Sequence, residues 1–292
     1  MRDPRIPLAF ATVCVLWSLS WIFIKIGVQD FPPLLFAGIR CIISAGFLFG
    51  YARVVGLPVN LQSVSKGANF LAGMLFFGIP FVMIFTGEKT VGASVAAVIF
   101  GCSPIFSVTM ARVFLGERLS PLRVLAILLG LSGLLYLYLP AFTESGFKAN
   151  LGLLLILCGA LSGSGGMILA KGLLRDENPA TSLPHQMILV GPVILAASFT
   201  LESHEGLHAT PAFLVSLAFL SLCASGIAYL LYFWMLKHMP VAQLVYIDFV
   251  YPVLSIVFGR LILGEPVTRR LTLAAALIVA GGVLASRSRT HG

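Results

Sequence analysis

The segment VFLGERLSP, residues 113–121, and the segment LILGEPVTR, residues 261–269, share a Leu-Gly-Glu core at an offset of 148 positions. Aligned without gaps at this offset, residues 89–133 match residues 237–281 at twelve of 45 positions. The identities include a lysine, a proline, an arginine and a glycine at fixed spacing, which two leucine-rich stretches would rarely share by chance. We therefore expect an internal duplication, with residues 1–144 as the first unit and 145–292 as the second.

The composition places this chain in a bilayer. Hydrophobic residues make up 59 % of its 292 residues, charged residues only 10 %, and the mean hydropathy is +1.01. Soluble domains carry about 25 % charged residues, so this chain could not cover a water-facing surface. The net charge is +8, but the basic residues lie between apolar runs, which indicates membrane topology and argues against a nucleic-acid partner.

Apolar runs between turn or charge signals predict an all-α integral membrane protein, since a spanning helix needs about 20 mostly apolar residues. Ser120 and Thr268 each precede a predicted helix, where a hydroxyl can cap the first turn. The seventh predicted span is short and contains Pro192. The ten predicted spans are residues 7–28, 33–53, 67–87, 91–114, 121–140, 150–171, 185–201, 211–236, 242–263 and 269–286.

The distribution of lysine and arginine predicts that both termini are cytoplasmic. With the N-terminus inside, the inner segments hold twelve basic residues and the outer segments hold five, as the positive-inside rule requires. Each unit contains five spans, an odd number, so the second unit enters the membrane from the opposite side. Inverted repeats of this kind are typical of secondary transporters that bind substrate near the bilayer midplane.

The chain resembles a known family, the EamA branch of the drug/metabolite transporter superfamily. The resemblance rests on the ten spans, the tryptophan-rich first span (Trp17, Ser18, Ser20, Trp21), a mid-helix proline in the fourth and ninth spans, and Leu-Gly-Glu after each. It covers nearly the whole chain. It implies two inverted five-helix repeats around a central cavity lined by the first, third, fourth, sixth, eighth and ninth helices. Many members export amino acids, and the chain is similar to the YddG-type exporters of aromatic amino acids, with neighbouring branches left open.

Asp248 is the acidic residue that lies well inside a predicted span. A charged aspartate near mid-bilayer costs about 3 kcal/mol or more, so it must be protonated, paired or facing a wet cavity. Asp248, Tyr251 and Ser255 share one helical face. This face predicts a site for a substrate ammonium group or a proton. The alternative is an interfacial aspartate hydrogen-bonded to a neighbouring helix.

Aromatic residues suggest the lining of the cavity. Trp17 and Trp21 share a face near the middle of the first span, whereas interfacial belts place tryptophan at span ends. An aromatic cavity suits flat apolar substrates and cations, although each ring could also serve helix packing alone. Pro80, Pro104 and Pro252 are predicted to kink their helices and to support gating. The predicted substrate-binding residues are Trp17, Ser20, Trp21, Phe100, Ser103, Ser164, Tyr229, Tyr232, Tyr246, Asp248 and Tyr251.

Other charged residues in or near the spans have structural interpretations as well. We expect Lys25 to snorkel towards the interface. Arg40 is expected to be an interfacial anchor or a partner of Asp30, with a contact to a substrate carboxylate as the second interpretation. Glu117 and Glu265 are repeated, but their position at span ends, just before a helix start, predicts a structural role at the turn.

Signatures of enzymes and metal sites are weak or missing in the sequence. His204-Glu205-Gly206-Leu207-His208 matches the HExxH zinc pattern, but it lies in a short loop between predicted spans, where the two histidines would not share a helical face. GxSxG, P-loop and zinc-type CxxC motifs do not occur. The five cysteines fall inside apolar runs and predict no disulfide. We therefore expect no enzyme activity, no metal and no cofactor.

The sequence predicts a multi-pass secondary transporter of the bacterial inner membrane that exports small amphipathic metabolites, above all amino acids with aromatic or apolar side chains. Its partners would be a small-molecule substrate and the lipid bilayer, and a monomer is compatible with this. The alternatives are an exporter of cationic drugs, a sugar-phosphate exchanger, a membrane enzyme and a non-transporting scaffold. Small multidrug pumps resemble a unit with a glutamate in helix one, which this chain lacks.

If the coupled ion is a proton bound at Asp248, the substitution Asp248→Asn should abolish the pH dependence of transport, because an amide cannot take up and release a proton. The measurement is initial transport rate in proteoliposomes over a range of pH values. A variant whose rate still follows pH as the natural protein does would remove Asp248 from the coupling.

Overall fold

A computed structural model describes residues 4–57, 66–115, 121–143, 147–174, 177–238, 244 and 246–287. Within these ranges the regular structure is entirely helical. The α-helices are α1 (Arg5–Asp30), α2 (Pro33–Val54), α3 (Lys66–Gly73), α4 (Ile79–Gly87), α5 (Ala93–Phe100), α6 (Ser103–Leu115), α7 (Pro121–Thr143), α8 (Phe147–Leu173), α9 (Pro179–Leu201), α10 (Pro211–Ala218), α11 (Ala228–His238), α12 (Ile247–Ile262) and α13 (Arg269–Arg287).

Two short π-helical segments interrupt otherwise continuous helices. π-segment 1 (Met74–Gly78) joins α3 to α4, and π-segment 2 (Phe219–Ile227) joins α10 to α11. At the offset of 148, residues 74–78 correspond to 222–226, which lie inside π-segment 2. Each π turn leaves carbonyl groups out of the regular hydrogen-bond ladder and is frequent at functional sites.

Six helices in the described ranges are long and apolar enough to cross a bilayer. Their positions confirm helices at the first, second, third, sixth, seventh and eighth predicted spans. The other predicted spans correspond to α5 with α6, and to α7, α12 and α13, so the total of ten crossings stays a prediction. The six are Arg5–Asp30, Pro33–Val54, Lys66–Gly87, Leu151–Ala170, Thr181–Leu201 and Pro211–Tyr232.

The fourth predicted span, residues 91–114, is not one helix. It breaks at Gly101–Cys102 into α5 and α6. Pro104 contributes to this break, because it lacks an N–H group and disfavours helical backbone in the residue before it, whereas it fits readily in the first turn of α6. Gly101 also sits against Pro252 of α12, where an added Cβ would come within 3.0 Å of Pro252 Cγ.

The seventh span begins earlier than predicted, at Pro179 rather than residue 185. Its first turns are polar, which suggested a loop, but Ser182 and Gln186 are buried. Asn69 of α3 compensates this burial, because its Oδ1 accepts a hydrogen bond from Ser182 Oγ at 2.6 Å. Buried polar groups are tolerated where they find partners, so the polar start of α9 is a helix–helix contact.

The helices pack in corresponding pairs. α1 packs against α12 and against the α10–α11 helix, while α8 packs against α6 and against the α3–α4 helix. α7 lies along α13, and the aligned glycines Gly133 and Gly281 are both at this contact. A Cβ added to Gly133 would lie 2.9 Å from Ala274 O, and one added to Gly281 would lie 2.7 Å from Ala126 O. Small residues let helix backbones approach this closely.

Glu265 ties the loop after α12 to the start of α5. Its carboxylate accepts hydrogen bonds from the backbone N–H groups of Ala93 at 2.6 Å and Ser94 at 2.9 Å, and from the Ser94 hydroxyl. First-turn amides have no acceptor within their own helix, and an anion there is favoured by the helix dipole. The structural role predicted for Glu265 is therefore confirmed, whereas Glu117 and Ser120 lie outside the described residues.

The predicted cap of the last helix is confirmed in the same region. Thr268 Oγ1 accepts a hydrogen bond from the N–H group of Leu271 at 3.1 Å, at the start of α13. Gly264 of the repeated Leu-Gly-Glu adopts φ +69°, a conformation that glycine adopts without steric cost. The repeated turn therefore supplies both a tight bend and a carboxylate that reaches a neighbouring helix.

The substitution Glu265→Ala should lower the apparent melting temperature of the detergent-solubilised protein. It leaves two amides and one hydroxyl without their acceptor, and hydrogen bonds to charged groups contribute about 1.5–3 kcal/mol each. Glu265→Gln retains one acceptor oxygen and should lose less. Glu205→Ala, in an exposed loop, is the matched control. Equal melting temperatures for Glu265→Ala and the control would contradict the capping role.

Candidate functional site

The middle of α1 lies against aromatic rings from several helices. Trp17 meets Tyr229 and Tyr232 of α11 with ring centroids 5.7 and 5.5 Å apart. Trp17 Nε1 donates a hydrogen bond to Ala224 O of π-segment 2 at 3.2 Å, and Tyr229 meets Phe77 of π-segment 1 at 5.9 Å. The irregular turn of π-segment 2 thus supplies the acceptor that a buried indole requires.

Trp21, one helical turn further along α1, lies between α5 and α12. Its ring is 5.4 Å from Phe100 and 6.3 Å from Tyr251, stacked on the latter. Asp248 lies in the first turn of α12, one turn before Tyr251, and is half-buried. We call the following residues the aromatic cluster: Trp17, Trp21, Phe77, Phe100, Tyr229, Tyr232 and Tyr251.

The predicted serine positions lie around this cluster, each with a backbone carbonyl as acceptor. Ser20 Oγ donates to Trp17 O, and Ser103 Oγ donates to Phe100 O, both at 2.6 Å. Ser164 Oγ of α8 donates to Ser103 O at 3.1 Å, which fixes the start of α6. Tyr246 differs from the other predicted residues, because its described ring contact is with Phe249, at 6.3 Å.

The three predicted kink residues lie at irregular points of the backbone. Pro80 is the second residue of α4, directly after π-segment 1. Pro104 is the second residue of α6, directly after the break at Gly101–Cys102. Pro252 lies inside α12, where its ring meets Gly101. Their contribution to gating stays a prediction.

Arg40 lies deeper than an interfacial anchor would. Only 6 % of its surface is exposed, and its Cζ atom is 4.3 Å from the ring centroid of Phe81 and 5.6 Å from that of Phe85. The expected partner, Asp30, instead accepts a hydrogen bond from Thr210 Oγ1 at 2.9 Å. The interpretation of Arg40 as an anchor or a partner of Asp30 is therefore wrong, because the side chain points into the bundle.

Arg40 is poorly satisfied for a buried cation. Its Nε and Nη2 atoms both donate to one acceptor, Ser225 Oγ of π-segment 2, at 3.2 and 3.1 Å. A guanidinium has five N–H donors, and a buried charge is costly unless it is paired and hydrogen-bonded. No carboxylate in the described ranges forms an ion pair with it. The Phe81 ring that Arg40 faces lies 5.6 Å from the ring of Phe77 of the aromatic cluster, so the guanidinium adjoins the cluster.

Lys25 binds the turn after α4, at the end of the third predicted span, and its snorkelling towards the interface stays a prediction. Its Nζ atom donates to the backbone carbonyls of Glu88, Lys89 and Val91, at 3.4 Å for Lys89 and 2.9 Å for Val91. The carbonyls at a helix end lack helical donors, so the turn after α4 attracts the ammonium group. This turn lies beside an open cleft lined by Lys25, Ile26, Gln29, Asp30, Leu263 and Glu265.

The zinc-protease pattern does not form a metal site. Residues 204–208 lie outside any helix, and Gly206 has φ +69°. His204 Nε2 is 3.0 Å from Ser198 Oγ. Throughout the part of the chain that the structure describes, no three histidine, cysteine or acidic side chains are placed to bind a metal ion. All five cysteines are free, as predicted.

A bundle of apolar helices, six of them in the described ranges long enough to cross a bilayer, is the architecture of a membrane protein. Comparison with known proteins agrees with this class. The model of the EamA-like transporter family matches residues 5–139 and again residues 150–287. The chain therefore belongs to the EamA-like transporter family, within the drug/metabolite transporter superfamily, and it is a multi-pass membrane transporter rather than an enzyme.

Its relatives include transporters from bacteria and archaea. It is 26 % identical to the uncharacterized transporter YoaV of Bacillus subtilis (strain 168), over 95 % of both chains. It is 25 % identical to an uncharacterized transporter of Archaeoglobus fulgidus, over 97 % of this chain and 99 % of that one. It is 27 % identical to the uncharacterized inner membrane transporter YedA of Escherichia coli (strain K12), over 94 % and 89 %. A solved crystal structure shares the fold with a TM-score of 0.70 over 98 % of each chain, at 20 % identity.

Proposed function

We propose that this transporter exports small amphipathic metabolites, above all amino acids with aromatic or apolar side chains, by alternating access across the inner membrane. The observation that carries the proposal is Arg40, a buried guanidinium that donates to one hydroxyl and faces the ring of Phe81, which lies 5.6 Å from Phe77 of the aromatic cluster. A carrier needs such unsatisfied groups, because its substrate must supply the missing partners.

The chemistry of an amino acid matches the groups around the cluster. A carboxylate can accept two parallel hydrogen bonds from a guanidinium, the strongest neutralising arrangement for a buried arginine. The rings of Trp17, Trp21 and Tyr251 offer flat apolar surface to an aromatic or aliphatic side chain. Asp248, half-buried in the first turn of α12, is the proposed partner of the ammonium group.

We also propose that the chain consists of two inverted five-helix repeats, residues 1–144 and 145–292. The repeated Leu-Gly-Glu segments, the matching π-segments and the position of both Gly133 and Gly281 at the contact between α7 and α13 support this proposal. The family model also matches twice, once in each half. Five crossings per repeat turn the second copy upside down, with both termini on the cytoplasmic side, and let the two halves rock about a shared site.

Export of cationic drugs is the main alternative within the same fold. A cation entering the aromatic cluster would approach the buried charge of Arg40, and like charges repel strongly where water is scarce. Sugar-phosphate exchange would favour several basic groups near the midplane, and Arg40 is the basic residue close to that depth. Arg40 therefore favours a substrate with a single carboxylate.

Radiolabelled counterflow in proteoliposomes tests the substrate class. Phenylalanine and leucine should exchange, whereas phenethylamine, which lacks the carboxylate, should not. Arg40→Gln should reduce exchange by about 100-fold, since a charged hydrogen-bonded pair contributes about 3 kcal/mol. Arg40→Lys should retain part of it, and Arg53→Gln, exposed near the end of the same helix, is the matched control.

Exchange of phenethylamine without exchange of phenylalanine would favour the cationic-drug alternative. Full amino-acid exchange by a correctly folded Arg40→Gln variant would contradict the role of the guanidinium. Melting temperatures of the variants identify any loss that comes from misfolding.

A further inference from the structure

Glu88, in the turn that follows α4, is a buried acid that the proposed site does not use. Its exposed fraction is 0 %, and neither Oε1 nor Oε2 has a hydrogen-bond partner. Its backbone is regular, because its N–H group donates to Ile84 O at 2.8 Å. An ionised carboxylate in this environment would have no hydrogen bond and no ion pair, the interactions that normally stabilise a buried charge.

Lys25 lies next to Glu88 but does not pair with its carboxylate. A lysine ammonium has three N–H donors, and in this structure the acceptors are the three backbone carbonyls of Glu88, Lys89 and Val91. The ammonium group therefore binds the turn and not the acid.

The internal alignment shows that the architecture does not require this acid. Lys89 is aligned with Lys237, an identity, but Glu88 is aligned with Leu236. The second copy thus has an apolar side chain where the first has a carboxyl group. A structural role common to both halves would be expected to place the same kind of side chain at both positions. Glu88 is therefore specific to the first unit.

The electrostatic surroundings favour the neutral acid. Burial raises the pKa of Glu88 well above its ordinary value, Lys25 of α1 lowers it, Glu265 of the α12–α13 loop raises it and Arg40 of α2 lowers it. α8 contacts this region at Gly87 through Gly152 and Ile156, which do not titrate. Desolvation outweighs the two cations because neither forms an ion pair with the carboxylate.

We propose that Glu88 is a proton-binding site that controls the closure of this end of the bundle. The protonated side chain is neutral and remains buried, with Lys25 bound to the turn and Glu265 bound to the start of α5. Loss of the proton leaves a buried carboxylate, which draws water or the Lys25 ammonium and so releases the turn. This proposal goes beyond the transport of any particular substrate and does not depend on it.

The direction of the pH effect follows from linkage. The closed arrangement binds the proton more tightly than an open, hydrated one, so lower pH favours closure and rising pH favours opening. The ligand of the site is thus the proton itself. Glu205 lies elsewhere, in the exposed loop between α9 and α10, and its substitution should leave this local equilibrium unchanged.

Infrared spectroscopy tests the protonation directly, with the purified full-length protein and no substrate. At neutral pH the spectrum should contain a protonated-carboxyl band that Glu88→Gln removes and that Glu205→Gln, in the exposed loop, retains. Glu88→Leu, which introduces the residue aligned with Glu88 in the second unit, should also remove the band. This second variant keeps the test valid if Glu88→Gln disturbs the fold. A spectrum in which Glu88→Gln and Glu88→Leu leave the carboxyl bands unchanged would overturn the proposal.

Thiol labelling tests closure. Val91 is 5 % exposed and lies in the turn that Lys25 binds, so Val91→Cys, in a background without the five native cysteines, reports opening. The labelling rate of Val91→Cys, divided by that of the double variant Val91→Cys/Glu88→Gln, should rise several-fold with pH. Both variants carry the same cysteine, so the ratio removes the pH dependence of the thiol itself. The rise should persist with Glu205→Gln. A ratio that does not change with pH would overturn the role in closure. Because no substrate is used, failure here is distinct from failure of the amino-acid proposal.

Discussion

One carboxylate holds together the region on which the proposed site depends. Glu265 accepts hydrogen bonds from the first amides of α5, groups that water would otherwise satisfy and that a bilayer cannot. α5 carries Phe100, and α12, which leads into the Glu265 turn, carries Asp248 and Tyr251. The cap therefore fixes the two helices on either side of Trp21, so that the rings of Phe100 and Tyr251 meet it from different helices.

The irregular segments supply some of the acceptors in the interior. Ala224 O and Ser225 Oγ of π-segment 2 accept from Trp17 and Arg40, and Leu75 O of π-segment 1 accepts from Ser162 Oγ at 3.0 Å. A regular helix would have used the carbonyls of Ala224 and Leu75 within its own ladder. Non-helical backbone at membrane depth is tolerated where it is enclosed by protein or lines a cavity. The π-segments are thus places where the bundle can hold polar groups.

The sequence predicted the long apolar helices, the cap at Thr268 and the structural role of Glu265, because composition and turn chemistry are local properties. It also predicted that Trp17, Trp21, Phe100 and Tyr251 lie together. It could not place Arg40 or Lys25, because position along a helix does not reveal which carbonyls or rings lie opposite. The polar start of α9 was missed for the same reason: its partner Asn69 is 113 residues away from Ser182. Glu88 did leave a signal in the sequence, as the mismatch with Leu236 in the internal alignment.

The proposed transport cycle depends most on the second unit being inverted with respect to the first. The side of the membrane from which each unit can be labelled measures this directly. Leu119 and Val267 are aligned at the offset of 148, each two residues after the repeated Leu-Gly-Glu, and Val267 is 48 % exposed. Single-cysteine variants Leu119→Cys and Val267→Cys, in a background without native cysteines, are treated in sealed right-side-out vesicles with an impermeant maleimide. The inverted topology predicts that Val267→Cys reacts from outside and that Leu119→Cys reacts only after the membrane is opened. Reaction of both positions from the same side would contradict it.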